Sequence, residues 1–284
     1  MTSKIREDTV GVTLDGLFSR LEKVSDTPGL DAQVLLARLL DRPRSWVLAH
    51  PDEPLAGDQL SALDALVRRL EKGEPLPYVL GRWEFFGLEF EVSPDVLIPR
   101  PETELMVERA IAWLQTHPGK RRAVDVGTGS GCVGIVLAAN VPDLQVLSTD
   151  ISAEAVDIAR RNARKHAVES RLELMCCDLV PPERHCDLLV ANLPYIPTRT
   201  LHGLPIFGRE PTLALDGGVD GLDLIRRLLL QAPDQLDPGG LLLMEIEASE
   251  GPAVLSLACD IFTNAEIHLH KDLAGHERLL EVQV

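Results

Sequence analysis

Three glycines at alternate positions, set between two apolar runs, restrict this chain more than any other feature. In Ala123-Val124-Asp125-Val126-Gly127-Thr128-Gly129-Ser130-Gly131 the first four residues read as a buried strand, and a helix is expected from about Gly131. Strand, glycine turn and helix in that order form the opening of a βαβ unit. Such a turn is a nest of backbone N–H groups at a helix N-terminus, and glycine lets a ligand approach it without meeting a Cβ. Further strands are predicted at 145–148, 172–176, 188–191, 241–246, 266–269 and 279–282, with helices starting near Ser152 and Gly221. The alternation predicts an α/β fold, a doubly wound Rossmann-like sheet.

Upstream the pattern changes. Residues 1–72 carry apolar side chains at helical spacing (Leu14, Leu17, Phe18 and Leu21; then Leu60, Leu63, Leu66, Val67 and Leu70), which predicts a small helical bundle. Residues 73–101 read as a linker, Gly73-Glu74-Pro75-Leu76-Pro77, followed by a β-hairpin between Trp83 and Ile98. The α/β segment is expected over 102–284, and its first helix near Glu102 or Thr103, after Pro99-Arg100-Pro101.

The net charge of -16 is uneven: residues 1–82 hold 11 Lys/Arg and 13 Asp/Glu, leaving 17 against 31 in the remainder. So acidic a segment disfavours phosphate backbones, so no direct nucleic-acid partner is expected. No apolar stretch is long enough to span a bilayer, the first eight residues lack a signal-peptide core, and no membrane partner is expected. Five cysteines without a Cys-x-x-Cys pair argue against a disulfide framework, and a cytoplasmic location is the expectation. Cys176, Cys177 and Cys186 read as core thiols, and eight scattered histidines show no metal-ligand spacing, so no metal site is assigned.

Two constellations carry chemistry. Asp150, at the end of the second strand of the sheet, is placed to accept ribose hydroxyls, and Asp178 beyond the third to meet an adenine amino group. Gly129 to Gly134 also fits the Gly-x-Gly-x-x-Gly of dinucleotide folds. There, however, the first glycine follows the strand directly, whereas Gly127-Thr128 intervene here. The carboxylate of Asp125 inside the turn favours a cationic cofactor, S-adenosylmethionine, over a pyrophosphate. The second constellation is Asn192-Leu193-Pro194-Tyr195, at the end of the apolar run 188–191. A planar amide nitrogen is a poor nucleophile because its lone pair is delocalised. Carbonyls that accept its N–H bonds can hold it in line with a methyl donor. Asn192 offers a side-chain carbonyl and Leu193 a backbone one. Pro194 sets the backbone direction, and the Tyr195 ring can face the substrate plane or a sulfonium charge.

With these two sites, the motifs Glu74-Pro75-Leu76-Pro77-Tyr78-Val79-Leu80-Gly81, Phe85-Phe86-Gly87-Leu88 and Leu97-Ile98-Pro99-Arg100-Pro101-Glu102-Thr103-Glu104 fall in order along the chain. Glu210-Pro211, Gly217-Gly218-Val219-Asp220-Gly221-Leu222-Asp223 and Asp272-Leu273-Ala274-Gly275-His276-Glu277-Arg278 complete the set. Over nearly its whole length the chain thus resembles the release-factor glutamine methyltransferases, the HemK/PrmC family. The resemblance implies a Rossmann-like class I methyltransferase domain, a helical domain that docks a protein substrate, and S-adenosylmethionine as cofactor. It implies N5-methylation of the glutamine in the Gly-Gly-Gln motif of peptide chain release factors. It also implies a cofactor pocket of Gly127, Thr128, Gly129, Ser130, Gly131, Asp150, Leu179 and Asn192, with residues 192–195 gripping the glutamine amide.

There are two departures. Leu193 stands where the family carries the first proline of Asn-Pro-Pro-Tyr; since the working carbonyl is backbone, reversion to proline is expected to be nearly neutral. Glu245-Ile246-Glu247 stands where Glu-Ile-Gly is common, and the sequence offers no role for Glu247. Glu102 and Glu104 could close over cofactor or substrate, or serve as helix-dipole partners. A ribosomal-protein glutamine methyltransferase shares the same chemistry and architecture. An adenine-N6 methyltransferase of nucleic acid would instead call for a basic helical domain after the sheet. A nicotinamide oxidoreductase and a non-catalytic binding protein of the same fold are the remaining alternatives.

Overall fold

Leucine and valine stripes on the N-terminal helices close over one another, and alternate residues of a long sheet do the same further along the chain. The computed structural model describes residues 8–182 and 184–284, so residues 1–7, examined above for a targeting signal, lie outside the described residues. The chain divides into two compact units, one ending at Gly81 and the other running from Arg82 to Val284. Among the described residues no helix is long and apolar enough to cross a membrane.

The described residues of the first unit form the helices α1 (Val10–Leu21), α2 (Pro28–Leu40), α3 (Arg44–Ala49), α4 (Gly57–Glu71) and α5 (Leu76–Leu80). Leu17 and Leu21, Leu35 and Leu36, and Leu63 and Val67 are buried. Arg20 ties α1 to α4 through Asp64 and Glu71, at 2.8 and 2.9 Å. The expected linker is divided between the units. Pro75 and Pro77 start a helix rather than break one, as proline can in a first turn. Arg69 then anchors that helix by donating to Glu74 and to the carbonyls of Tyr78 and Val79. Pro77, Tyr78, Val79 and Leu80 are all buried, which a free linker could not be.

The second unit opens with the hairpin β1 (Arg82–Phe85) and β2 (Leu88–Glu91), turned at Phe86-Gly87, where both residues have positive φ. It stops short of the predicted end: residues 92–100 join no strand and turn at Pro94 to Val96, with Val96 and Ile98 buried. The sheet follows, with α6 (Glu104–Thr116), β3 (Arg122–Val126), α7 (Cys132–Asn140), β4 (Gln145–Asp150), α8 (Ala153–Lys165) and β5 (Leu172–Cys176). Then come β6 (Cys186–Ala191), the short α9 (Thr198–Leu201), α10 (Asp223–Gln235), β7 (Leu236–Glu245), α11 (Gly251–Ile261), β8 (Glu266–Lys271) and β9 (Glu277–Gln283). The strand order is β5-β4-β3-β6-β7-β9-β8, parallel through β7, with β9 antiparallel to both its neighbours.

Every residue of β6 is buried, as a central parallel strand requires. Leu188 and Val190 pack with α6 and α7 on one face, and Leu189 and Ala191 with α10 and α11 on the other. At the edge of the sheet β5 leaves Cys176 exposed. It is not a core thiol, whereas Cys186 on β6 is buried.

Asn162 of α8 joins three parts of this unit. It is fully buried, accepts from the Glu91 N–H at 2.7 Å, and donates to the carbonyls of Glu91 and Ser130 at 3.0 and 2.8 Å. Hairpin, helix and glycine turn thus depend on one side-chain amide. Asn162→Ala should lower the unfolding free energy by about 2–4 kcal/mol, because three backbone groups lose their partner. Urea denaturation showing a loss under about 0.5 kcal/mol would show the bonds to be dispensable.

Candidate active site

The site lies where the winding of the sheet reverses. From β3 the chain passes to β4 on one side, while β6 joins β3 on the other, with Val126 opposite Ala191. Ligands of doubly wound sheets bind in the crevice at the carboxyl ends of such strands. The glycine turn therefore leaves one strand beside the point where Asn192 leaves its neighbour.

The turn is held from below. The Gly127 and Thr128 N–H groups both donate to the Thr149 carbonyl at 2.9 Å, and Gly131 N–H donates to Thr128 at 2.8 Å. Gly131, at φ +83°, is the N-cap of α7, and a Cβ there would stand 2.8 Å from Ile135 and 3.0 Å from Ala159. Its function is packing, and it does not line the cavity. Gly127 allows a second close approach, since a Cβ would lie 3.2 Å from the Leu193 side chain.

Asp125 lines the cavity, as expected of a carboxylate inside the turn, with one of its two oxygens engaged within the protein. Its Oδ2 accepts from the Thr128 hydroxyl at 2.6 Å, from Gly134 N–H at 3.1 Å and from the Ser148 hydroxyl at 3.4 Å. Burial nevertheless pushes its pKa up to about 6 against those bonds. Its main effect is to brace the turn against α7 and β4. Asp150 does stand at the mouth, where each carboxylate oxygen accepts one backbone N–H, from Gly129 and Ser152, both at 2.9 Å. Each retains acceptor capacity for a further donor. Burial raises the pKa of Asp150 as well.

A cavity of about 350 Å³ collects Gly127, Thr128, Gly129, Ser130, Asp150, Asp178, Leu179, Asn192, Leu193 and Pro194. That volume suits a nucleoside-sized molecule. Asp178 is half exposed and paired with Arg227 at 2.6 Å, so a base amino group would have to share it with a guanidinium. Leu97 and Pro99 supply a wall that periodicity alone did not predict. That extended segment is clamped by buried Glu210, which accepts from Ile98 N–H at 3.1 Å and pairs with Arg100 at 2.5 Å.

Tyr195 turns away from this cavity. It lines a second, more acidic one of about 800 Å³ with Glu102, Glu245, Glu247 and Glu250, and Arg100 borders both. The backbone of Pro194-Tyr195 is pressed against the loop at Gly217 and Gly221, where any Cβ would collide with the Pro194 or Tyr195 carbonyl. Glu104 does not reach either cavity. It accepts from Phe86 N–H at 2.9 Å and so fastens the hairpin to α6. Glu247, without a role in the sequence, pairs with Arg278 at 2.8 Å.

Asn192 is held by residues that sequence reasoning missed. Its Nδ2 donates to the Thr103 hydroxyl at 3.0 Å, and that hydroxyl donates to Glu245 at 2.6 Å. The Tyr195 hydroxyl approaches the other oxygen of Glu245 at 3.5 Å. Burial lifts Glu245 to about 7, opposed by Thr103 and Arg278. A signal for Glu245 was present: it ends the run Leu241-Leu242-Leu243-Met244, where a carboxylate is buried only with partners. Among the described residues neither Asn192 Oδ1 nor the Leu193 carbonyl accepts a hydrogen bond. Both residues line the cavity, and these two oxygens are without a protein donor among the described residues.

Leu193 itself is 3% exposed and packs in the core beneath the glycine turn. Reversion to proline would remove this branched side chain from that core. Leu193→Ala should cost about 2–4 kcal/mol of stability, read as a lower denaturation midpoint. An unchanged midpoint would show that the side chain contributes no packing.

Comparison with known proteins agrees with the geometry. Residues 13–81 match the PrmC N-terminal domain and residues 103–202 the methyltransferase small domain. The release factor glutamine methyltransferase of Geobacter sulfurreducens is 40% identical over 273 residues, covering 93% of this chain and 94% of that protein. The protein of the same name from Moorella thermoacetica is 43% identical over 256 residues, covering 89% and 90%. In fold the chain resembles the T. thermophilus 16S rRNA methyltransferase RsmC, solved with AdoMet and guanosine, at a TM-score of 0.53 and 18% identity, over 71% of this chain and 49% of that one. The chain belongs to the release factor glutamine methyltransferase family.

Proposed function

We propose that this protein methylates the N5 side-chain amide of the Gly-Gly-Gln glutamine in peptide chain release factors. The observation that carries the proposal is the pair of unpartnered acceptors, Asn192 Oδ1 and the Leu193 carbonyl, beside the glycine turn at the β3–β6 junction. S-adenosylmethionine, when bound, supplies an electrophilic methyl group on a sulfonium. The cavity fits that molecule: Asp150 offers spare acceptor positions to ribose hydroxyls, Gly127 to Ser130 offer backbone, and Asp178 and Leu179 flank the base end. Gly131 supports this set by packing.

The two amide hydrogens of the glutamine match the two acceptors. Holding both N–H groups fixes the nitrogen in line and favours its pyramidal form in the transition state. No basic side chain is required, because the nitrogen becomes acidic once methylated and its proton can leave to water. Pro194 rigidifies the grip, while Tyr195 lines the second cavity, which Arg100 joins to the first. The acidic balance of the catalytic segment supports a protein substrate over nucleic acid. A release factor as substrate in turn implies the cytosol as the place of action.

Incubation with S-adenosylmethionine and release factor should add one methyl group at the Gly-Gly-Gln glutamine, seen by mass spectrometry. Modification of ribosomal protein or RNA, with release factor untouched, would contradict the proposal. Asn192→Ala should lower the transfer rate by about 100-fold or more with little change in cofactor affinity. Asp150→Ala should weaken cofactor binding by about tenfold or more, the value of at least one lost charge-assisted hydrogen bond.

A further inference from the structure

We infer that Thr103 and Glu245 are positioning residues that set the polarity of the Asn192 amide, so that its carbonyl rather than its NH2 group faces the substrate. The inference rests on the proposed role of Asn192 and adds what enforces it.

A hydroxyl carries one proton. Thr103 Oγ1 lies 2.6 Å from Glu245 Oε2 and 3.0 Å from the Asn192 amide. An ionised carboxylate can only accept, so it takes the Thr103 proton. The hydroxyl can then offer Asn192 nothing but a lone pair, Nδ2 must face it, and Oδ1 is left toward the cavity. A protonated Glu245 can reverse every bond in the chain. Its O–H donates to Thr103, the Thr103 hydroxyl donates to Asn192 Oδ1, and the NH2 group is turned outward. There it would oppose the N–H groups of an incoming amide.

The topology brings the three together. Asn192 follows Ala191, which is opposite Met244, and Glu245 is the next residue along β7. Thr103 stands just ahead of α6 and is 3% exposed, and Glu245 is likewise 3% exposed. The groups that face Glu245 are Thr103, the Tyr195 hydroxyl, Arg278 and Glu102. Arg278 favours the ionised form, Glu102 opposes it, and burial outweighs both to hold the group near 7. Burial raises the Tyr195 pKa far above neutrality, so its hydroxyl remains a neutral donor to Glu245.

The sign follows directly. The competent polarity needs ionised Glu245, so transfer rises with pH through about 7 and falls below it. The glutamine amide does not titrate in this range.

The test combines kcat against pH, cofactor affinity by calorimetry, and the pH dependence of the Asn192 side-chain amide signals in 15N NMR. In the wild type the Asn192 signals and kcat should share one midpoint near 7. Glu245→Gln should abolish the acid limb in both readouts and lower kcat at high pH, since glutamine can donate or accept. Thr103→Val should lower kcat by about 100-fold, as loss of precise positioning does, with cofactor affinity retained, and Thr103→Ser should restore most of it. A Glu245→Gln protein that keeps the acid limb, or a Thr103→Val protein with wild-type kcat, overturns the relay. The NMR titration needs no substrate. Absence of methyl transfer by the wild type would defeat the proposed function alone, whereas a pH-invariant Asn192 amide would defeat the relay alone.

Discussion

The pairing of β3 with β6 is the constraint on which the site depends. Val126 and Ala191 are opposite one another, so the two strands release their chains at the same level of the sheet. The glycine turn and Asn192 thereby become neighbours, although neither could hold the other in place by itself. Moving β6 by one residue would bury Asn192 and place its hydrophobic set on the wrong faces. The full burial of β6 makes such a slip costly, so the core that stabilises the fold also sets the separation of the two halves of the site.

Around that pairing, the remaining motifs act as braces. Glu210 clamps the extended segment at Ile98 and Arg100, and Glu104 ties the hairpin to α6. Gly217 and Gly221 let a loop lie against the backbone of Pro194-Tyr195. Asn162 joins the hairpin to the glycine turn. Of these, Glu210 is charged and buried, and it is compensated by the Ile98 N–H and Arg100, which makes it more effective at fixing geometry than at adding stability.

Much of this was legible in the sequence. Apolar runs ending in a glycine turn or in Asn192 identify strands and their exits, because a buried parallel strand has almost no other composition. The cofactor cavity gathers most of the residues expected, Gly131 excepted, because turn chemistry is local. Long-range partners were not legible. Thr103 and Glu245 are 142 residues apart, and their meeting depends on β7 lying beside β6. Prolines at 75 and 77 signalled a linker because proline ends most helices, yet here they begin one, and Arg69 secures it. The direction of Tyr195 was hidden for a similar reason. It depends on the loop at Gly217 and Gly221, two dozen or so residues downstream.

The central claim is geometric: one amide nitrogen is held by two carbonyls beside the cofactor turn. A crystal structure with S-adenosylhomocysteine and a peptide containing Gly-Gly-Gln measures it most directly. The account predicts the glutamine side-chain nitrogen within about 3.2 Å of both Asn192 Oδ1 and the Leu193 carbonyl oxygen, facing the cofactor sulfur. A glutamine amide bound elsewhere, or one meeting the Nδ2 of Asn192 instead, would contradict it.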